Sequence, residues 1–173
     1  DDWEAAGLGT DSVDVAFASR SLMAEAVGPF VAKLDSAARS RAAVVVPASL
    51  LPSCDPRLLT YLGRTAKRPR VVRDVTRALT SLGRIPVVAT TRTFRPMRFP
   101  SFDEARSDLR RLAGPEPFTA REQRLFDAYS AQHIVRRAAE SPSGETSQMW
   151  VLDYALPVTW VFIGWRTDGS PWG

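Results

Sequence analysis

The run Arg41-Ala42-Ala43-Val44-Val45-Val46, closed by Pro47, shows no alternation of polar and apolar side chains and is rich in β-branched residues. A strand of that kind is covered on both faces, so helices must lie above and below its sheet. Upstream, Asp14 opens a second compact apolar run, Val15-Ala16-Phe17-Ala18, which ends in Ser19-Arg20-Ser21 and reads as a buried strand with a polar tip. Between the two runs, Leu22, Ala26, Val27, Phe30, Val31 and Leu34 recur every three or four residues, which predicts a helix with one apolar stripe, kinked at Pro29. Strand, helix and strand in this order imply a right-handed parallel crossover.

The punctuation further along is equally local. Asp55 is placed to cap a helix from Arg57 to Leu62, with Pro56 at its first position and Gly63 at its end. A second helix carries Val71, Val72, Val75, Ala78, Leu79 and Leu82 and stops at Gly83, and Ile85 to Thr91 follows as a strand. Ser101 with Glu104 and Thr119 with Glu122 form capping boxes for two peripheral helices, the second expected to run from about Ala120 to Ala139. Ser141 to Ser147 reads as a loop. Of the two last apolar segments, Trp150 to Tyr154 and Val158 to Trp165, only the second has the pattern of a core strand.

Composition narrows the classes of function. The longest apolar run is far short of the ~20 residues that span a bilayer, and the acidic start Asp1-Asp2-Trp3-Glu4 is unlike a secretory signal, so a cytoplasmic protein without membrane contact is expected. One cysteine, Cys54, excludes an internal disulfide and a cysteine zinc site. The net charge of +4 rests almost wholly on arginine, since Lys33 and Lys67 are the only lysines, and these arginines are scattered along the chain. P-loop, nucleophile-elbow, zincin and dinucleotide fingerprints are absent. His133, four residues after Tyr129 on a helix, reads as a structural histidine, and Cys54 as a loop thiol whose pKa a helix N-terminus would lower. What remains is the carboxyl end of the strands, where ligands bind in open parallel sheets. Two tips meet that description, Ala18-Ser19-Arg20-Ser21 and Pro47-Ala48-Ser49, although Ser19 or Ser21 would equally serve as a plain helix cap.

The stretch Ser12-Val13-Asp14-Val15-Ala16-Phe17-Ala18-Ser19-Arg20-Ser21-Leu22 resembles the fourth-strand motif of class I S-adenosylmethionine-dependent methyltransferases. Arg41 to Ala48 is similar to their fifth strand, and Asp55 to Leu59, Leu62 to Arg64 and Trp160 to Trp165 resemble a prokaryotic subgroup of that family. The resemblance implies an α/β, Rossmann-like, mostly parallel sheet with an antiparallel last strand. Ile85 to Thr91 would be strand six, and Val158 to Trp165 strand seven between five and six. It covers only the later half of the family's domain, lacking the first three strands, with residues 1–173 as one domain and a helical insertion at about 101–140 that caps the substrate. The chain is then expected to be a fragment, its strand Val13–Ala18 pairing with a missing N-terminal segment or a partner chain. As the family has it, Asp1, Asp2, Ala18, Ser19, Arg20 and Ser21 would bind S-adenosylmethionine, while Arg20 and Ser49 would meet a small-molecule or macromolecular methyl acceptor. No metal is expected. The alternatives are a basic nucleic-acid-binding module and a non-catalytic assembly domain.

Overall fold

The structure, a computed structural model, describes residues 9–19, 27–48, 53–65, 70–95, 97–140 and 146–173. In chain order the elements are β1 (Val13–Ser19), α1 (Val27–Ala37), β2 (Ala38–Pro47), α2 (Pro56–Leu62), α3 (Val71–Ser81), β3 (Val87–Arg95), β4 (Arg98–Phe99), α4 (Phe102–Arg111), α5 (Ala120–His133), β5 (Ile134–Glu140), β6 (Thr146–Leu152) and β7 (Leu156–Arg166). They form a four-stranded sheet in the order β1-β2-β7-β3 and a three-stranded sheet in the order β4-β6-β5. The β1–β2 pair is parallel, whereas β2–β7, β4–β6 and β5–β6 are antiparallel. The fold is therefore mixed α/β, and the expected predominance of parallel pairing is corrected. The chain divides into one compact unit of Asp1–Ala48, Pro69–Arg92 and Thr159–Gly173 and another of Ser49–Arg68 and Thr93–Val158.

The core of the first unit follows from side-chain alternation. Ala42, Val44 and Val46 of β2 and Val161, Ile163 and Trp165 of β7 face Phe30, Val31 and Leu34 of α1 and Val75 and Leu79 of α3. Each fully buried aliphatic side chain contributes about 1.5–3 kcal/mol. Within this apolar layer, Asp35 of α1 accepts two hydrogen bonds from the Arg84 guanidinium, at 2.9 and 2.8 Å, and one from the Trp165 indole at 2.9 Å. Pro29 lies within α1, which is described from Val27 onward. The helix passes straight into β2 without an intervening residue.

On the other face of this sheet the chain's last residues cover β7. The Trp172 ring lies edge-on to Phe162, and Arg41 sits over Trp172 at 5.3 Å. Gly164 passes beneath both rings, where a Cβ would meet them at 2.8–2.9 Å. At β1 that face is bare. Val15 is 58% and Phe17 59% exposed, while Ala16 turns into the core and Ala18 packs against it. Among the described residues no strand lies on the outer side of β1, so the strand read as buried is an edge strand and its expected partner is not part of the described chain.

In the second unit, α2 starts at Asp55, whose carboxylate accepts from the Arg57 and Leu58 amides, and ends at Gly63 in the left-handed region. The Thr119–Glu122 capping box of α5 is complete. Arg64 clamps it, bonding Glu122 at 2.6 Å, the Ala113 carbonyl at 3.2 Å and the Pro117 carbonyl at 2.9 Å. Helix α5 stops at His133 instead of reaching Ala139, because Ile134 and Val135 are β-branched and pair with Leu152 and Val151 of β6. The same pairing draws Thr146 and Ser147, read as loop, into β6. Helices α4 and α5 thus belong with α2 and a small antiparallel sheet.

The Arg64 guanidinium beside Glu122, helped by Thr119, holds that carboxyl down at about 2, below its ordinary 4.5. A depressed folded-state pKa means that stability from this site is present above pH 4.5 and is lost as pH falls toward 2. Glu122→Gln is therefore expected to flatten the acid limb of the stability profile in that window, as followed by urea unfolding at stepped pH. An unchanged acid limb would show that the clamp contributes nothing.

Candidate functional site

Because β1 and β2 run parallel, their carboxyl ends reach the same rim of the sheet. Ala18 lies opposite Val44 and Ser19 opposite Val45, and the end of β2 is held to β7 by the bond from the Ala48 amide to the Thr159 carbonyl at 2.9 Å. Ala18 is half-buried and Ser19 exposed, and both side chains are small. Arg20, Ser21, Ser49, Asp1 and Asp2 lie outside the described residues. Among the site residues read from the sequence, the structure thus places Ala18 and Ser19 at a strand's carboxyl end.

A second polar constellation, which the sequence reading missed, lies in the other unit. Asp55 is fully buried. Its Oδ1 accepts from the Arg57 amide at 2.8 Å and the Leu58 amide at 3.4 Å, and its Oδ2 accepts from the Tyr154 hydroxyl at 2.5 Å. The Tyr129 hydroxyl donates in turn to that of Tyr154 at 3.0 Å. Next to this chain His133 packs on the Tyr129 ring at 4.3 Å, with Nδ1 2.9 Å from the Asp153 carboxylate. The Arg57 guanidinium covers the Tyr154 ring at 4.8 Å. Positions 55, 129 and 154 come from α2, α5 and the turn after β6, and only the fold joins them.

The electrostatics show what this cluster does. Burial, then the bond to Asp55, pushes the Tyr154 phenol far above its usual range, and burial pushes Tyr129 up to about 12. Both phenols stay protonated and act as donors, and Asp55 spends its lone pairs on two amides and a hydroxyl. The cluster thus joins α2, α5 and the turn after β6, with His133 packed on the Tyr129 ring. The Cys54 thiol is raised by burial and by the charge of Glu116, and no lowering by the helix N-terminus is present. Among the described residues no group of three His, Cys, Asp or Glu side chains is placed to hold a metal ion, and no helix is long and apolar enough to cross a membrane. No protein-family model matches the chain, and no curated protein matches its sequence.

Proposed function

We propose that this chain supplies the later strands of a Rossmann-like, S-adenosylmethionine-dependent methyltransferase domain, with the tips of β1 and β2 flooring the site of transfer. The observation that supports it best is the strand order β1-β2-β7-β3, in which the last strand enters antiparallel to β2 and separates it from β3. The resemblance implies that placement, and a sheet wired through sequential neighbours would instead set β3 beside β2. The tip fits a ligand in size, since neither Ala18 nor Ser19 blocks approach to the strand end. When bound, S-adenosylmethionine supplies a methyl group already activated by its sulfonium. The protein's share is then alignment and electrostatics, for which no strong base is required. In this reading Ala18, Ser19 and Ser21 shape the floor, and Asp1 and Asp2 lie toward the adenine. The guanidinium fork of Arg20 orients an anionic or carbonyl-bearing acceptor, which Ser49 also meets in this reading. The bare face and open edge of β1 are where the rest of such a sheet joins.

Calorimetric titration of the polypeptide as its gene encodes it with S-adenosylhomocysteine tests the reading. Saturable one-to-one binding is expected, and no heat at millimolar ligand overturns it. With an acceptor in hand, Arg20→Ala is expected to raise its KM while leaving kcat largely intact, and unchanged kinetics remove Arg20 from the site.

A further inference from the structure

Strand β3 is the second edge of the four-stranded sheet. It pairs with β7 on one side, and among the described residues no strand lies on the other. Most of the large apolar side chains left exposed among the described residues stand at the two edges, with Val13, Val15 and Phe17 on β1 and Ile85, Val88 and Phe94 on or just before β3. The β1 edge is where the proposed remainder of the sheet joins, whereas the β3 edge has no neighbour assigned to it. Strand β3 is nine residues long, and no charge falls between Val87 and Thr91. It thus has neither the shortness nor, over its first half, the charge by which edge strands avoid pairing.

The order of residues along β3 matches a copy of itself. Val88 is 53% and Phe94 61% exposed, and their even spacing sets both on one face of the strand. Thr91 lies midway between them. When two β3 strands pair antiparallel about a twofold axis through the Thr91 pair, Val88 of each copy stands opposite Phe94 of the other. Aromatic and β-branched residues are a favourable cross-strand pair, and the symmetry makes it twice. The same register sets Arg92 against Thr90, so the two Arg92 side chains are not directly opposed. Centring on Thr90 would oppose Val88 to Arg92, and centring on Arg92 would oppose two like charges, which is destabilising.

We infer that two copies of this chain associate through β3, antiparallel and centred on Thr91, so that their four-stranded sheets become one continuous sheet. The twofold axis stands perpendicular to the sheet, which keeps α1 and α3 of both copies on the same side, and the contact closes at two copies. A strand of another protein would have to supply an apolar residue at each reciprocal position, which a copy does by symmetry. The inference does not rest on the methyl-donor reading, and a dimer that binds no S-adenosylhomocysteine would leave it standing.

Sedimentation velocity of the full chain at micromolar concentration should show a dimer. Val88→Lys/Phe94→Lys removes both cross-strand pairs and should raise the dimer dissociation constant by at least roughly tenfold. Both side chains are exposed, so its thermal melting should match the parent's at a dilution where each is monomeric. Val15→Lys/Phe17→Lys makes the same change at the β1 edge and should leave the dimer intact. Register is read by disulfide trapping in a Cys54→Ser background. Thr91→Cys brings two thiols face to face across the axis, with Cβ atoms about 4.5–5.5 Å apart, and should cross-link on mild oxidation. Ala89→Cys, which faces Thr93 of the other copy, should not. A monomer at every concentration, loss of the dimer in the β1 variant, its persistence in the β3 variant, or cross-linking at position 89 as readily as at 91 would overturn the inference.

Discussion

Asp35→Ala is expected to destabilise the chain by about 2–4 kcal/mol, because it leaves the buried Trp165 indole N–H and the partly exposed Arg84 guanidinium without their common acceptor. Asp35 is 9% exposed, Trp165 is fully buried, and both Arg84 bonds are shorter than 3 Å. Set against a typical domain stability of about 5–15 kcal/mol, such a loss brings the variant close to unfolding at room temperature. Asp35→Asn retains an acceptor for the indole but opposes Arg84 with a neutral group, and should fall between parent and Asp35→Ala. Urea unfolding followed by tryptophan near-ultraviolet circular dichroism reads both variants. A loss below about 1 kcal/mol for Asp35→Ala would mean that water replaces the carboxylate and that the apolar layer alone holds α1 to β7.

The second large effect is expected at Asp55. Removing its carboxylate deletes the N-cap of α2, worth about 1 kcal/mol, and leaves the Tyr154 hydroxyl without its acceptor, about 1–3 kcal/mol more. Tyr154→Phe should cost less, because Asp55 keeps the Arg57 and Leu58 amides. In the double variant the losses should fall short of additivity by at least 0.5 kcal/mol, as for residues that share one network. Additive losses in urea unfolding would show that the cap and the phenol act separately.

Features set by neighbouring residues were legible. The cap Asp55-Pro56 with its Gly63 stop, the Thr119–Glu122 box and the buried run of β2 stand in the structure where local chemistry places them. Strand β5 was not legible, since Arg136, Arg137, Ala138 and Ala139 suit a helix and become a strand only through β6. The openness of β1 was hidden for a related reason. An apolar run reveals what a strand would bury, and Val15 and Phe17 are apolar whether or not anything covers them. Ala18 and Ser19 are where the strand-tip argument put them, because a polar tip after an apolar run is a local signal. The Asp55–Tyr154 pair, separated by 99 positions, has none.

Helix α1 enters β2, and α5 enters β5, with no connecting residue. Pleating alternates with every position, so one amino acid added at Ala37 would rotate Ala42, Val44 and Val46 from the helix side to the opposite side and bring Ala43 and Val45 inward. These two seams therefore act as phase locks, across which the turns of a helix set which side chains each ribbon presents, and at which length variation is least tolerated.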